Sequence, residues 1–408
     1  MSTGSATETF VALARPAELG ALLRIGPQPL SLYWANPSRA VWAAGLGVAQ
    51  GGIRCGAVRW LGPPPPVAPP GPWFGGWAFD DARPWRGFPT ERWVLPEVLA
   101  WWDGARSWLA AFGPDGVPAE ALMARLDAVT EVAPTSTPPR LLARPGARAP
   151  WDALVESALE TLREGRCSKL VLARVVDADF EGSERTLLKA LEARHPGCWI
   201  FLVRGDDGRA FIGASPETLL ESSGTSVSID ALAGTAAKGQ GERLLRSEKE
   251  LREHRAVVDG IRASLAPFAA EVQVPAAPVV KSLANVEHLF TPVRARLHPE
   301  FDALTVARAL HPTPAVAGTP KDFSVAWLRR HEGFARGWYA GAVGAQGAGG
   351  VTLAVGLRSA LLDGDRAQLF VGAGVVSGST AEAEWDETER KSWALSPAYG
   401  HGAHAEVP

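Results

Sequence analysis

Apolar and polar positions follow two different spacings along this 408-residue chain. Before residue 130 the apolar runs are short and broken by Gly and Pro, as at 73–81 and 93–102, which is typical of strands in an antiparallel sheet. From Trp151 to Leu162 the apolar residues recur at helical spacing, and an apolar strand pattern over 169–176 follows. Helices are also predicted at 184–194 and 241–265, and further strands at 199–203, 210–214, 226–230, 339–345, 351–359 and 367–372.

The irregular alternation of strands and helices predicts an α+β fold, a sandwich of large, mostly antiparallel sheets flanked by helices. A Rossmann fold is disfavoured, because no GxGxxG motif opens a βαβ unit and Gly372–Gly374 matches that motif poorly. The distribution of residue types predicts four parts of the chain. They are a Trp-rich, β-rich N-terminal part over residues 1–132, a linker over 133–150, a main region over 151–398 and a tail over 399–408.

The N-terminal part holds ten of the sixteen tryptophans, from Trp34 to Trp108. They could form a binding platform, but we predict that they pack in the core and rim of the sheet, since large aromatic side chains dominate burial there. The Pro-rich segment 62–72 predicts a surface loop or strap.

Composition excludes several classes of function. The formal charge of −3 comes without a basic block, so a nucleic-acid partner is not expected. Three cysteines, Cys55, Cys167 and Cys198, show no metal-ligand spacing and are typical of reduced thiols in a cytoplasmic protein. No signal peptide and no apolar run of transmembrane length is present, so a membrane partner is not expected either.

The segment from Val371 to Lys391 is unusually informative. A strand ends in the Gly-Ala-Gly turn of Gly372, Ala373 and Gly374, and a helix follows for which Ser379 is the predicted cap. On that helix the residues that share one face are Glu384, Glu387 and Lys391. Taken alone, this face is as consistent with a solvated helix as with a site.

The long predicted helix over 241–265 carries a second Glu-x-x-Glu motif. Glu250 and Glu253 lie off its apolar stripe, together with His254. Four carboxylates from the two helices, meeting in one cleft, would form a cage of hard oxygen ligands suited to Mg²⁺. Either motif alone is weak evidence for such a site.

Three further positions have side chains suited to chemistry. Lys169 begins an otherwise apolar strand, where burial would lower its pKa and make it usable as a base, whereas a lone strand-end Lys usually reaches water. Glu217 follows a Pro-fixed turn and is a candidate general acid, although a turn Glu is ordinarily exposed. The turn ALAGT, residues 231–235, could receive an anion.

Nine segments between residues 168 and 391 read, in order, SKLVLAR, FIGASPETLL, ALAGT, SEKELREH, VEHLFTPVRARL, LHPTPAVAGTP, GWYAGAVG, LRSAL and GAGVVSGSTAEAEWDETERK. Together they resemble the chorismate-utilising enzyme family, and within it the isochorismate synthases of the menaquinone-pathway type. Nine ordered motifs make the resemblance highly specific for the main region, while the N-terminal part resembles the family only loosely, chiefly through WFGGWAFD.

The resemblance implies roles for individual residues. Lys169 matches the base that activates water and Glu217 the general acid. The Mg²⁺ ligands correspond to Glu253 and Glu387, with Glu250 and Glu384 as further carboxylates of that site. The positions that hold the carboxylates of the substrate, chorismate, correspond to Gly234, Thr235, Tyr339, Arg358, Gly372, Ala373, Gly374 and Lys391. His288 matches a histidine near the substrate ring, and a purely structural hydrogen bond is an equally open role for it.

The choice of activity within the family rests on a few positions. The amine-forming relatives use ammonia and do not carry the Lys that matches Lys169, and aminodeoxychorismate synthases carry a Lys where this chain has Ala233. Both features favour water as the nucleophile, so no glutamine amidotransferase partner is expected. Salicylate synthase, which eliminates pyruvate after forming isochorismate, stays an alternative because Thr319 departs from the bulkier apolar residue expected there. A catalytically silent binding or scaffold subunit is disfavoured by the intact set of candidate catalytic residues.

Overall fold

The computed structural model describes residues 6–12, 30–48, 50–52, 58–60, 73–102, 107–113, 139–144, 146, 148–284, 286–347, 349–392 and 395. Cys55, the Pro-rich segment 62–72, residues 133–138 of the predicted linker and the predicted tail lie outside these residues. Cys167 and Cys198 are free, buried thiols.

The described residues form seven α-helices and a short 3₁₀ turn at Pro37–Arg39. The helices are α1 Arg148–Arg163, α2 Glu184–Arg194, α3 Gly241–Arg246, α4 Glu248–Leu265, α5 Ala303–Leu310, α6 Lys321–His331 and α7 Ala381–Ser392. Within these ranges no helix is both long and apolar enough to cross a membrane.

The strands before the first helix are β1 Ala6–Ala12, β2 Leu30–Asn36, β3 Val41–Leu46, β4 Gln50–Gly52, β5 Val58–Trp60, β6 Trp73–Trp77, β7 Glu91–Leu95, β8 Val98–Trp102, β9 Ser107–Gly113 and β10 Arg140–Ala143. Those after it are β11 Lys169–Glu181, β12 Trp199–Arg204, β13 Ala210–Ser215, β14 Thr218–Ser223, β15 Ser226–Ala237, β16 Ala269–Gln273, β17 Val279–Ser282, β18 Val286–Leu297, β19 Gly318–Thr319, β20 Ala342–Gly347, β21 Gly350–Val355, β22 Ser359–Asp363 and β23 Arg366–Val375.

These strands form two large sheets. The first has thirteen strands in the order β10-β11-β23-β22-β13-β12-β2-β3-β8-β9-β1-β5, with β19 paired to β11. The second has ten in the order β16-β18-β15-β14-β21-β20-β6-β7-β4, with β17 paired to β18. Apart from the parallel pair β1–β5, the strand pairs of the described residues are antiparallel, which confirms the predicted α+β sandwich.

Strands from the N-terminal part lie inside both sheets. Strand β2 pairs with β12, and β6 pairs with β20, so the main region and the N-terminal part share one backbone hydrogen-bond network. The division into the four predicted parts stays a prediction.

Several of the predicted helices and strands end at residues other than those that the sequence pattern indicated. The helix predicted at 241–265 breaks at Ser247, whose extended backbone ends α3 and whose hydroxyl caps α4 by accepting from the Glu250 amide at 3.4 Å. The strand predicted at 351–359 ends at Val355, since Arg358 has a left-handed backbone with φ of 47°. Helix α2 spans the predicted residues 184–194, with a capping box at Ser183.

The tryptophans whose side chains are described pack in the core, as predicted. Trp34, Trp42, Trp93 and Trp101 are at most 2% exposed. Trp85 stacks on Phe370 with ring centroids 5.0 Å apart. The Trp-rich part therefore supports the sheet from which the cleft described below is built.

Candidate active site

A cleft opens between the two sheets and helices α4 and α7, and its empty space, together with the open solvent at its mouth, is about 790 Å³. Most of the predicted site residues line it, namely Lys169, Glu217, Gly234, Thr235, Glu253, His288, Tyr339, Arg358, Gly372, Gly374, Glu387 and Lys391.

Three predicted residues do not line the cleft. Two of them are Glu250 on α4 and Glu384 on α7. Ala373 lies between two glycines of β23 that do line it, and the alternation of side chains along a strand turns its methyl group to the opposite face. The prediction that Ala373 is one of the residues that hold the substrate stays a prediction.

Lys169 begins β11 and is 2% exposed. Its Nζ lies 2.8 Å from Oε1 of Glu253, which α4 brings to the same end of the cleft. Across the sheet it is paired with Thr319 of β19. The strand-end lysine thus lies inside the protein, against a carboxylate, and does not reach bulk water.

Glu217 is held in the short connection between β13 and β14. Its amide donates to Oγ of Ser215 at 3.3 Å, and its carbonyl oxygen accepts from the Val355 amide at 3.1 Å. The side chain is buried at 3% exposure. Burial, with the Asp230 carboxylate as the second cause, raises the pKa of Glu217 to about 8. A carboxyl group with this pKa is protonated at neutral pH and can act as an acid.

Arg358 projects a guanidinium group into the cleft from the backbone turn that separates β21 from β22. Its Nη2 donates to Nε2 of His288 at 3.0 Å, and its Nη1 is buried with no hydrogen-bond partner in the described residues. Left-handed backbone is costly for a residue with a side chain, so contacts must hold this conformation. A buried cationic donor without a partner is suited to an anion.

His288 fixes the orientation of that guanidinium. Its Nδ1 lies 3.1 Å from the carbonyl oxygen of Gly234 and 3.2 Å from the hydroxyl of Thr235. Burial, followed by the charge of Arg358, holds the pKa of His288 well below its usual range. The hydrogen-bond pattern assigns the proton to Nδ1, which leaves Nε2 as the acceptor for Arg358.

Two glycines of β23 let other side chains approach the strand. A methyl group on Gly374 would lie 2.7 Å from Oε1 of Glu253 and 3.1 Å from Cε of Lys169. One on Gly372 would lie 2.8 Å from the hydroxyl of Tyr339. Only glycine leaves room at these positions.

The four glutamates of the two helical motifs face one another across α4 and α7. Burial and then Glu253 raise the pKa of Glu250, and burial and then Glu387 raise the pKa of Glu384 to about 7. Glu387 of α7 also raises the pKa of Glu250, and Glu253 of α4 also raises the pKa of Glu384, so the two motifs lie near each other. That the four carboxylates form one metal site stays a prediction.

Lysines engage these carboxylates. Besides the Lys169–Glu253 pair, Nζ of Lys391 lies 2.6 Å from Glu387, and Nζ of Lys249 lies 4.0 Å from Glu250 and 3.8 Å from Glu384.

In this arrangement, no three His, Cys, Asp or Glu side chains of the described residues are set to hold a metal ion. The donor set itself, four carboxylates whose charges destabilise one another, nevertheless fits the hard-oxygen preference of Mg²⁺.

Two local predictions about these helices are wrong. The cap of α7 is Thr380, whose hydroxyl accepts from the Ala383 amide at 3.3 Å, while the Ser379 hydroxyl accepts from the Val376 amide. His254 does not lie off the apolar stripe of its helix, since it is 3% exposed and bonds Thr291 of β18 at 2.8 Å. A buried polar partner on the sheet overrides the pattern here.

The sequence profile of the family described as chorismate binding enzyme matches residues 68–399 of the chain. The chain belongs to this family. All candidate site residues lie within the matched span.

Curated relatives of this chorismate binding enzyme include isochorismate synthases. It is 40% identical to the salicylate biosynthesis isochorismate synthase of Pseudomonas aeruginosa over 272 residues, which are 64% of this chain and 57% of that protein. It is 34% identical to isochorismate synthase MenF of Bacillus subtilis over 61% of this chain and 55% of that protein. For MenF of Pasteurella multocida the identity is 33% over 70% of this chain and 69% of that protein. The match thus spans little more than half the length of the first two relatives.

Solved structures share the architecture. The menaquinone-specific isochorismate synthase MenF from Escherichia coli has a TM-score of 0.78 at 25% identity, covering 96% of this chain and 93% of that one. Anthranilate synthase component I from Streptococcus pneumoniae shares the fold, with a TM-score of 0.67 at 24% identity over 80% of each chain.

The chorismate binding enzyme also contains a buried ion pair that sequence reasoning missed. Glu332 and Arg336 are both 3% exposed in their side chains and bond each other. Glu332 accepts from the Ala173 amide at 2.9 Å, and Arg336 donates to the carbonyl oxygens of Val171 at 2.6 Å and Val316 at 2.8 Å. Val171 and Val316 both line the cleft. The pair therefore joins two walls of the site through their backbones.

Proposed function

We propose that this chorismate binding enzyme is an isochorismate synthase, which interconverts chorismate and isochorismate by adding water at C2 and removing the hydroxyl group at C4. One observation carries the proposal: Lys169 and Glu217, a potential base and a carboxyl group that keeps its proton at neutral pH, line one cleft beside Nη1 of Arg358, which has no hydrogen-bond partner in the described residues. The relatives named as isochorismate synthases support it.

The two groups divide the proton transfers between them. Lys169 takes a proton from the water whose oxygen forms the new bond to C2. The ring double bonds shift and the C4–O bond breaks, while Glu217 donates its proton so that the hydroxyl leaves as water. One water enters and one leaves, so the net reaction is an isomerisation. In the reverse direction the same two groups exchange roles.

The polar wall of the cleft would hold the carboxylates of chorismate. Nη1 of Arg358 has no hydrogen-bond partner in the described residues, and the planar guanidinium group suits a carboxylate. Residues 231–235, predicted as a turn, are part of β15, and the bulge of this strand at Gly234, with Thr235 beside it, and the hydroxyl of Tyr339 add donors to the cleft lining. Lys391, which also donates to the carbonyl oxygen of Gly372 at 2.9 Å, supplies a second positive charge.

We further propose that the activity depends on Mg²⁺. Glu253 and Glu387 would hold the ion, with Glu250 and Glu384 as further carboxylates of the site. When bound, Mg²⁺ would neutralise negative charge and bind a carboxylate of the substrate. The support for this is the set of four neighbouring carboxylates, whose raised pKa values at Glu250 and Glu384 reflect burial and repulsion that a cation would relieve.

We propose menaquinone synthesis as the pathway that uses the product. The support is the similarity to the menaquinone-specific isochorismate synthase of Escherichia coli over nearly the whole of both chains. Expression in a strain that lacks its own menaquinone-pathway isochorismate synthase tests this, and restored menaquinone is the expected result. Failure to restore it, with an enzyme that is active in the extract, would assign the product to another pathway.

The activity is tested by mixing purified protein, chorismate and Mg²⁺ and identifying the products by chromatography. Isochorismate is expected, with chorismate re-formed when isochorismate is the starting material. Salicylate and pyruvate as the main products would identify a salicylate synthase. An amino product that requires ammonium would exclude water as the nucleophile, and with it the proposal that no glutamine amidotransferase partner is needed.

A further inference from the structure

Glu217 lies in a turn that two charged side chains hold from behind. Asp230 of β15 accepts from the Thr218 amide through Oδ2 at 3.1 Å. Nζ of Lys281, on β17, donates to the carbonyl oxygen of Pro216 at 2.7 Å. The residues immediately before and after Glu217 are thus each bonded to a charged group.

The same two side chains bond each other. Lys281 Nζ lies 3.3 Å from Oδ2 of Asp230, and the side chains are 25% and 12% exposed, respectively. Lys281 also lies over the ring of Phe290 at 4.9 Å, which restricts the direction of its approach. A half-buried ion pair that also bonds two backbone groups is costly to distort, because each charge would lose its partners.

Neither Asp230 nor Lys281 lines the cleft, whereas Pro216 and Glu217 do. We propose that Asp230 and Lys281 are positioning residues, a clamp that holds the Pro216–Glu217–Thr218 turn so that the Glu217 carboxyl group faces the substrate with its proton in place. This inference rests on the proposed role of Glu217 as the general acid and extends it to two residues that act only through it.

The clamp also sets the electrostatic surroundings of Glu217. The charged groups that act on it come from four elements: Asp230 from β15, Lys281 from β17, Lys169 from β11 and Lys391 from α7. Asp230 is the negative one, and after burial it is the next cause of the raised pKa, while the three lysines act in the opposite direction. Removing the charge of Asp230 should therefore lower the pKa of Glu217, whereas removing the charge of Lys281 should raise it.

The test is the pH dependence of kcat for chorismate conversion at saturating Mg²⁺. In the wild type, the rate should fall above about pH 8 as Glu217 loses its proton. Asp230→Asn keeps an acceptor for the Thr218 amide but loses the charge, so the descending limb should move to lower pH by on the order of one unit. Lys281→Met should move it to higher pH, and Lys281→Arg, which keeps charge and donors, should leave it in place.

Asp230→Ala removes the acceptor as well as the charge. It should lower kcat at every pH by about tenfold or more, because the turn is then free to misplace the acid. A matched control is Glu221→Gln, which removes a carboxylate from the neighbouring strand β14, where Glu221 pairs with Arg39 at 2.6 Å on the surface. This control should leave the limb unmoved.

The proposed clamp is refuted if the descending limb of the pH profile lies at the same pH in Asp230→Asn and Lys281→Met as in Glu221→Gln. It is also refuted if both variants move this limb in the same direction. Should one variant fail to fold, the other with its control still decides. A second readout does not need activity. It is the infrared carbonyl band of protonated Glu217, which is assigned by its loss in Glu217→Gln. In Asp230→Asn this band should disappear at a lower pH than in the wild type. A wild type that leaves chorismate unchanged would refute the proposed function, and the infrared titration would still test the clamp.

Discussion

Replacing Glu217 by Gln is the sharpest test of the proposed mechanism. The substitution keeps the size of the side chain and removes its acidic proton. Because burial raises the pKa of Glu217 from 4.5 to about 8, about nine in ten molecules carry the proton at pH 7, against about three in a thousand at the ordinary value. The fold thus supplies several hundredfold more acid at neutral pH.

The expected kinetic result is a fall in kcat of roughly 10²–10⁴-fold, the range typical of losing a general acid. The wild-type rate should fall about tenfold for each pH unit above pH 8, and this limb should be absent from the residual activity of Glu217→Gln. Initial rates of chorismate consumption across the pH range measure both effects. A variant that keeps more than about a tenth of the wild-type kcat would refute the role of Glu217 as the acid.

The same pKa also affects stability. A carboxyl group whose pKa is raised in the folded state contributes stability in full below about pH 4.5, and the contribution is lost as the pH rises through about 8. The loss is about 5 kcal/mol at most, and it is missing in Glu217→Gln, which does not titrate. Denaturant unfolding between pH 5 and pH 8 should therefore show a steeper decline for the wild type. Parallel declines would mean that the pKa is not raised.

Other substitutions test the rest of the site. Lys169→Ala should lower kcat by roughly 10²–10⁴-fold while chorismate still binds in calorimetry. Lys169→Arg should be nearly as poor, because a guanidinium group does not release its proton, and near-normal turnover would show that only a positive charge is needed. Glu253→Gln and Glu387→Gln should abolish Mg²⁺-dependent turnover with an unchanged circular dichroism spectrum, an expectation contradicted by full activity in excess EDTA. Arg358→Lys should raise KM for chorismate by about ten- to a hundredfold, since an ammonium group cannot bond His288 and a carboxylate in the same geometry; an unchanged KM would remove Arg358 from substrate binding.

Local signals explain which parts of the fold were predictable. Helix α2 has a Ser183 capping box and a clear apolar stripe, and its bounds follow from those residues alone. At Ser247 the S-x-x-E pattern with Glu250 is a local signal for a helix start, which the continuous apolar stripe over 241–265 obscured. Arg358 is different, because nothing in its neighbours along the chain requires a left-handed residue. The left-handed backbone of Arg358 is maintained by burial and by the bond to His288, which is seventy residues away in the sequence.

The residue types of the site could be predicted from the sequence better than the contacts between them. The motifs identified Lys169 and Glu253, but not that a 2.8 Å ion pair joins them. Glu332 and Arg336 are four residues apart, a spacing that usually indicates an exposed helical pair. Here the helix ends at His331, and the pair is buried against the backbone of β11. Asp230, a lone charge in an apolar strand, was a visible but unused signal for the clamp.

The pairing of β11 with β23 determines when the cleft can exist during synthesis. Ten residues of β11 pair with β23, from Leu170 with Val375 to Asp179 with Arg366. The strand that carries Lys169 therefore stays without this partner until nearly two hundred further residues have left the ribosome, and Lys391 follows later still. Such distant pairing is slow to form. A nascent or prematurely terminated chain that lacks β23 and α7 is missing Gly372, Gly374, Glu387 and Lys391 from the cleft lining, so the cleft is completed only after these last elements have been made.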